Sequence, residues 1–146
     1  MSKLAYKSET SAGGIVRKTE NGNVLWLVTQ HSQHKGWGFP KGLIGDSVEN
    51  ESRESAAIRE VREEGGVEAK ILCPIPVEVK YTYRHKDILV DKTVYYFLME
   101  YVSGDPADHD WEVSEAKFLD EDGVRNILTF DTDKEAFAGI LALAKM

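Results

Sequence analysis

Apolar and polar residues alternate with period two in VEVKYTY, residues 77–83, which predicts a strand with one face against a core. The wider stretch 67–83 is β-like, and HKD at 85–87 is the expected turn after it. KTVYYFLMEYV, residues 92–102, is the most strand-like segment, dense in β-branched and aromatic side chains. Upstream, SAGGIVRK (11–18) and VLWLVTQ (24–30) flank Asn21-Gly22, a strong two-residue hairpin signal. Between 50 and 64 the pattern becomes helical. Ala57, Ile58 and Val61 form an apolar stripe, Asn50 or Ser52 caps the start, and Gly65 and Gly66 supply the stop. A polar, glycine-rich loop, HSQHKGWGFPKGLIGDS (31–47), precedes this helix and is long enough to suggest a functional role. SGDPADHD reads as a loop, EVSEAKFL (112–119) as a short strand, and EDGVRNIL and DKEAFAGILALA as two closing helices. With no internal repeat, low-complexity tract or linker, the pattern predicts one mixed α/β domain over residues 1–146.

Composition narrows the classes. A chain of 146 residues with 42% hydrophobic and 29% charged residues is long enough for a buried core. A net charge of -7 disfavours nucleic acid as the main partner, while leaving room for a local basic patch that holds a phosphate. Cys73 is the only cysteine, so no internal disulfide forms, and a reducing, cytoplasmic setting is expected. Cys73 lies in the apolar run ILCPIP and reads as a small buried hydrophobe. MSKLAYKSET lacks the apolar core of a signal peptide, and no run is long enough to span a bilayer, so no membrane partner is expected.

The candidate chemistry lies in REVREEGG, residues 59–66. On a helix, Glu60, Glu63 and Glu64 share one face, and Glu60 and Glu64 form a like-charge i,i+4 pair that costs ~0.2–0.5 kcal/mol. All three sit near the C-terminal end, where the helix dipole disfavours each by ~0.3–1 kcal/mol. A solvated charged face softened by Arg59 and Arg62 is the plain explanation. A hard divalent cation is the sharper one, because magnesium takes oxygen ligands and is completed by substrate phosphates. The preceding GWGFPKG (36–42) supports the second, with glycines that allow close backbone approach and Lys35 and Lys41 as phosphate-facing candidates.

Gly45, five residues, Glu51, seven residues, then Arg59-Glu60-Val61-Arg62-Glu63-Glu64-Gly65-Gly66-Val67 resembles the Nudix box at every fixed position across residues 45–67. SAGGIV, PKG, KTVYYFL and WEVSEAKFL also sit where Nudix proteins carry similar segments. The resemblance implies an α/β/α sandwich with a mixed β-sheet and a catalytic loop-helix-loop. It also implies Mg²⁺-dependent cleavage, with Mn²⁺ able to substitute, of a diphosphate linked to another moiety. In one respect the chain departs from many relatives. The glycine of PKG, Gly42, stands three residues before Gly45 and is not itself the first glycine of the box, which leaves open which of the two approaches the metal.

By this resemblance Glu60, Glu63 and Glu64 are metal ligands, joined by Gly45, and Glu60 or a more distant acid serves as base. Glu51 and Arg59 match positions that organise loop and helix, and Arg59 is placed to hold a catalytic carboxylate in its rotamer. A distal acid is expected at Glu112, with Glu115 its rival. Trp37, Tyr83, Tyr95 and Phe130 are candidates to stack on a base, although Tyr95 and Tyr96 must point to opposite faces of a strand. His31 and His34 are possible phosphate contacts, but these and His85 and His109 read as loop histidines and build no zinc site. Within the family the chain looks most like the asymmetric dinucleoside tetraphosphate hydrolases, which implies a small-molecule nucleotide or other diphosphate substrate and a monomer or homodimer. Diphosphoinositol polyphosphate and oxidised nucleoside triphosphate hydrolases are the alternatives, and the net charge of -7 argues against the former. A non-catalytic nucleotide sensor is a different class, and the intact acid set discriminates against it. A third class, a protein-interaction scaffold, predicts a large exposed apolar patch, which no segment requires.

Overall fold

A computed structural model describes residues 5–45 and 49–145. The start of the N-terminal segment (1–4), the end of the 31–47 loop (46–48, which fall inside the box) and residue 146 lie outside the described residues. The elements are strands β1 (Ala5–Glu20), β2 (Asn23–His31), β3 (Trp37–Gly38) and β4 (Lys41–Leu43), then helix α1 (Arg53–Gly65). Strands β5 (Val67–Ile71), β6 (Val77–His85), β7 (Ile88–Gly104) and β8 (Val113–Leu119) follow, with a 3₁₀ turn at Pro106–Asp108 before β8. Helices α2 (Glu121–Ile127) and α3 (Asp131–Ala144) close the chain.

The Asn21-Gly22 signal forms its hairpin: both residues have positive φ, 53° and 82°, and Glu20 pairs with Asn23. This is the left-handed turn that matches strand twist. The strands form one sheet of order β3-β2-β1-β7-β5, with β4 on β1, β6 on β7 and β8 on β2. β1 and β7 run parallel from Ala5↔Ile88 to Arg17↔Glu100, and the remaining pairs are antiparallel. The sheet is therefore mixed.

Side-chain alternation then separates two cores. Ile15, Val94, Tyr96 and Leu98 pack with Phe137, Ile140 and Val124, which places α2 and α3 on one face. Ala12, Val16, Phe97 and Met99 pack with Ala57 and Val61 of α1 on the other. The result is the α/β/α sandwich.

Several sequence expectations change. β1 begins at Ala5 and not at Ser11, because its first residues pair by backbone with β7 while their side chains stay mostly exposed and carry no readable alternation. The long loop contains β3 and β4, too short to show a period. Ser52, not Asn50, caps α1, its hydroxyl accepting from the Ser55 N–H at 3.1 Å, while Asn50 takes a positive φ of 60° before it. Gly65 remains helical, and Gly66 alone makes the left-handed stop at φ 74°. Leu72 to Pro76 interrupt the 67–83 stretch, and Cys73 there is half-buried, not part of either core. Among the described residues no helix is long and apolar enough to cross a membrane.

Candidate active site

α1 packs Ala57 and Val61 against the sheet, which turns the Arg59–Glu60 edge of the helix toward β4. Arg59 is the hub there. Its Nε and Nη2 donate to the two oxygens of Glu51 at 2.7 and 3.0 Å, and its Nη1 donates to Glu60 at 2.7 Å and Glu63 at 3.1 Å. Nη2 also reaches the Leu43 carbonyl at 3.4 Å. Glu51 is thus a bidentate partner of Arg59, its side chain 4% exposed. Hydrogen bonding to Arg59 holds its carboxyl below the usual range against the opposing effect of burial. Arg59 is pushed up in turn, mainly by its bonds to Glu51.

The other acids behave in the opposite way. Burial pushes Glu60 up to about 7 even though Arg59 lies at 2.7 Å. Burial, then the charge of Glu60, pushes Glu64 up to about 8, and nearby Lys41 offsets part of this. The Glu64 carboxylate accepts the Lys41 backbone N–H at 3.4 Å. Glu63 is more open, with its side chain 41% exposed.

The two glycines have separate places. A Cβ added at Gly42 would meet the Glu60 carboxyl group, so the glycine lets this backbone lie against Glu60 as that side chain now stands. Gly45, at φ 80°, donates its N–H to Glu51 at 3.2 Å.

The segment after β7 closes over the end of α1, where the Asp110 N–H donates to the Glu63 carbonyl at 2.8 Å. Glu112 follows, and its charge raises both Glu60 and Glu64. Its rival, Glu115, lies along β8 opposite Gln30 and pairs with Lys117 at 3.5 Å. Asp110 itself is raised, first by burial, with a contribution from Glu63. Sequence reasoning passed over Asp110 within SGDPADHD, where only the density of acids offered a signal.

The ligand-facing candidates divide by face. Lys41 pairs with Gly13, and its Cβ lies on the α3 side of the sheet. Tyr83, two residues along β6 from Tyr81 of the α3-side core, shares that face, and its hydroxyl donates to Glu9 at 2.8 Å. Tyr95 faces the α1 side, with the Arg53 guanidinium 4.2 Å above its ring, so Tyr83 and Tyr95 do not line one pocket. Trp37 is fixed by reciprocal bonds with Thr129, and the Lys117 ammonium lies 4.8 Å from its ring centre. Lys35 is exposed and turned by a positive φ of 64°. His31 and His34 stack at 4.1 Å, and Phe130 meets His34 edge-on. Burial, then His34, pushes the His31 pKa down.

Among the described residues no three His, Cys, Asp or Glu side chains already converge as a metal cage. Glu60 and Glu63 are turned to Arg59, and Glu64 to the Lys41 N–H. The donor set nonetheless fits a hard cation: three carboxylates on one helix, two of them with their ionised forms disfavoured by burial and mutual repulsion. A model of the NUDIX domain family matches residues 7–138. The chain belongs to the Nudix family.

Among relatives of this Nudix chain is a protein of Mycobacterium tuberculosis (strain CDC 1551 / Oshkosh) carrying the provisional name mutator protein MutT4. It is 32% identical over 118 residues, covering 76% of this chain and 46% of that protein, so the chain spans about half the length of this curated relative. Similar solved structures include the C. elegans Ap4A hydrolase in a binary complex, with TM-score 0.65 and 23% identity over 92% of this chain and 98% of that one. The NUDIX domain of Shewanella oneidensis NrtR complexed with ADP ribose has TM-score 0.64 and 20% identity, over 98% and 90% of the two chains. At these identities the structures establish the Nudix fold, with its mixed sheet between helices, and nothing further.

Proposed function

We propose that this Nudix protein is a Mg²⁺-dependent hydrolase, acting as one domain, that cleaves a phosphoanhydride bond in a nucleoside diphosphate-linked substrate. The observation that carries this reading is the pair of buried Glu60 and half-buried Glu64 at the end of α1, with pKa values pushed up to about 7 and 8 and the Gly42 backbone against Glu60. Glu60, Glu63 and Glu64 would hold Mg²⁺, or Mn²⁺ in its place. Of the two candidate glycines, Gly42 is favoured over Gly45 because it lies against Glu60. A divalent cation, when bound, supplies positive charge for phosphate oxygens and makes water more acidic.

The rest is the work of this chain's residues. Arg59 orients Glu60 and Glu63 while Glu51 fixes Arg59. Lys41 offers an ammonium to a phosphate oxygen beside Glu64. Glu60 or the more distant Glu112 would take the proton of a water that attacks phosphorus, and Trp37, beside Lys117, would stack on a base. Among substrates, a dinucleoside polyphosphate is favoured, with diadenosine tetraphosphate giving ATP and AMP. The motifs flanking the box support it. The likeness to a protein named a mutator favours a second reading, an oxidised nucleoside triphosphate.

A panel of dinucleoside polyphosphates, nucleoside triphosphates and diphosphoinositol polyphosphates, incubated with protein and Mg²⁺, tests the proposal by product identification. Release of ATP and AMP from diadenosine tetraphosphate, with label from isotopic water in the AMP, is the expected result. Silence across the panel from folded protein would favour a nucleotide sensor.

A further inference from the structure

On the α3 face of the sheet, beside Lys41, lies a cationic cluster that the reading above does not use. Glu9 of β1 pairs in register with Lys92 of β7, and one Glu9 oxygen lies 3.4 Å from the Lys92 ammonium. The same oxygen accepts the Tyr83 hydroxyl at 2.8 Å, and the other lies 3.3 Å from the Lys7 ammonium. Lys92 is largely enclosed, its side chain 11% exposed, and so is Glu9 at 13%. Two residues along β1, Ser11 is completely buried, and its hydroxyl lacks a hydrogen-bond partner. Beyond it, Gly13 pairs with Lys41. Glu9, Ser11 and Gly13 share one face of the strand, so an orphaned donor lies between two lysines.

These lysines repel. Burial and then the Lys41 charge push the Lys92 pKa down, with Lys7 adding to the effect. The Tyr83 bond, chiefly, keeps Glu9 ionised. Two ammonium groups, of Lys7 and Lys92, share the one Glu9 carboxylate, and the charge of Lys41 also acts on Lys92, which leaves a local excess of positive charge in a protein whose net charge is -7. An enclosed lysine pair with an unsatisfied hydroxyl suits a ligand rich in anionic oxygen acceptors, and a run of phosphates has this chemistry.

We propose that Glu9 is an internal counter-anion, which the phosphate chain of a ligand displaces from Lys92 as it enters between Lys92 and Lys41 over Ser11. Glu9 is thus a specificity-determining residue. A ligand must outcompete a carboxylate already in place, so weakly charged anions are rejected and chains of several phosphates are admitted. The inference deepens the phosphoanhydride reading, because Lys41 joins this cluster to Glu64.

The test needs no catalysis. Sodium tripolyphosphate is titrated into full-length protein without divalent metal, and binding is followed by calorimetry for wild type, Glu9→Gln, Lys92→Met and the double variant. Circular dichroism checks that each is folded. Glu9→Gln should bind about 3- to 10-fold tighter, the scale of one or two partly enclosed ion pairs. Lys92→Met should bind more weakly, and the gain from Glu9→Gln should vanish in the Lys92→Met background. Unchanged or weaker binding by folded Glu9→Gln, a gain that persists without Lys92, or no binding by any of the four overturns the proposal. If tripolyphosphate binds as expected while the Mg²⁺ panel stays silent, the hydrolase reading fails and the role of Glu9 stands.

Discussion

Arg59 directs all three of its guanidinium nitrogens at groups of the box or the loop before it, which leaves a lysine no way to replace it. Arg59→Lys should keep the charge but lose the fork to Glu51. We expect a loss of about 2–4 kcal/mol in urea unfolding and a fall in turnover, since Glu60 and Glu63 lose their orientation with it. Glu64 should behave differently. Its ionised form is disfavoured by burial, so the near-isosteric Glu64→Gln should leave the metal-free protein at neutral pH no less stable than wild type. Its Mg²⁺-dependent turnover should nonetheless fall by about 100-fold or more, as for removal of a group needed in the reacting complex. A large loss of stability together with activity would identify Glu64 as a framework residue.

Helix α1 owes its position to its two ends. Ser52 caps the first turn, and Ser52→Ala should cost about 1 kcal/mol without altering the acid cluster. Gly66 at the other end is more exacting: φ is 74°, and an added Cβ would come 2.6 Å from the Asp105 carbonyl oxygen. Gly66→Ala therefore combines left-handed strain with a clash, about 1–3 kcal/mol together. The clash displaces the segment from Asp105 toward Asp110 and Glu112. Activity should therefore fall more than in Ser52→Ala, and comparing turnover at matched fraction folded checks this. The helix was readable because apolar spacing, cap and glycine stop agree locally. β3 and β4 were not, since strands of two and three residues have no period and exist only by pairing with β2 and β1.

Across the whole molecule, buried carboxyls set opposing pH trends. Burial raises Asp133, against the hydrogen bond from Tyr96 and the charges of Lys41 and His34. Its contribution to stability is complete below its unfolded value near 3.8 and is lost as pH rises through the folded one. Glu51, lowered by Arg59, contributes stability above 4.5 that is lost as pH falls through its folded value. Asp133→Asn, which keeps an acceptor for Tyr96, should flatten the decline on raising pH, and Glu51→Gln the decline on lowering it, in urea titrations between pH 3 and 7. The mixed α/β pattern was legible from periodicity, while the sandwich and the candidate acids of the box came from the resemblance that their fixed spacing carries. Glu9, Lys92 and Asp110 were not, because each is an ordinary residue in its own segment and gains its neighbours only through register with a distant strand or contact with the helix end. The parallel ladder between β1 and β7 also bears on how the chain assembles. Its partners, from Ala5↔Ile88 onward, are far apart in sequence, so closing the ladder is slow compared with the two hairpins it joins. During synthesis the box emerges from the ribosome ahead of β7, so its acids stay hydrated until the second half of the polypeptide zips the sheet shut.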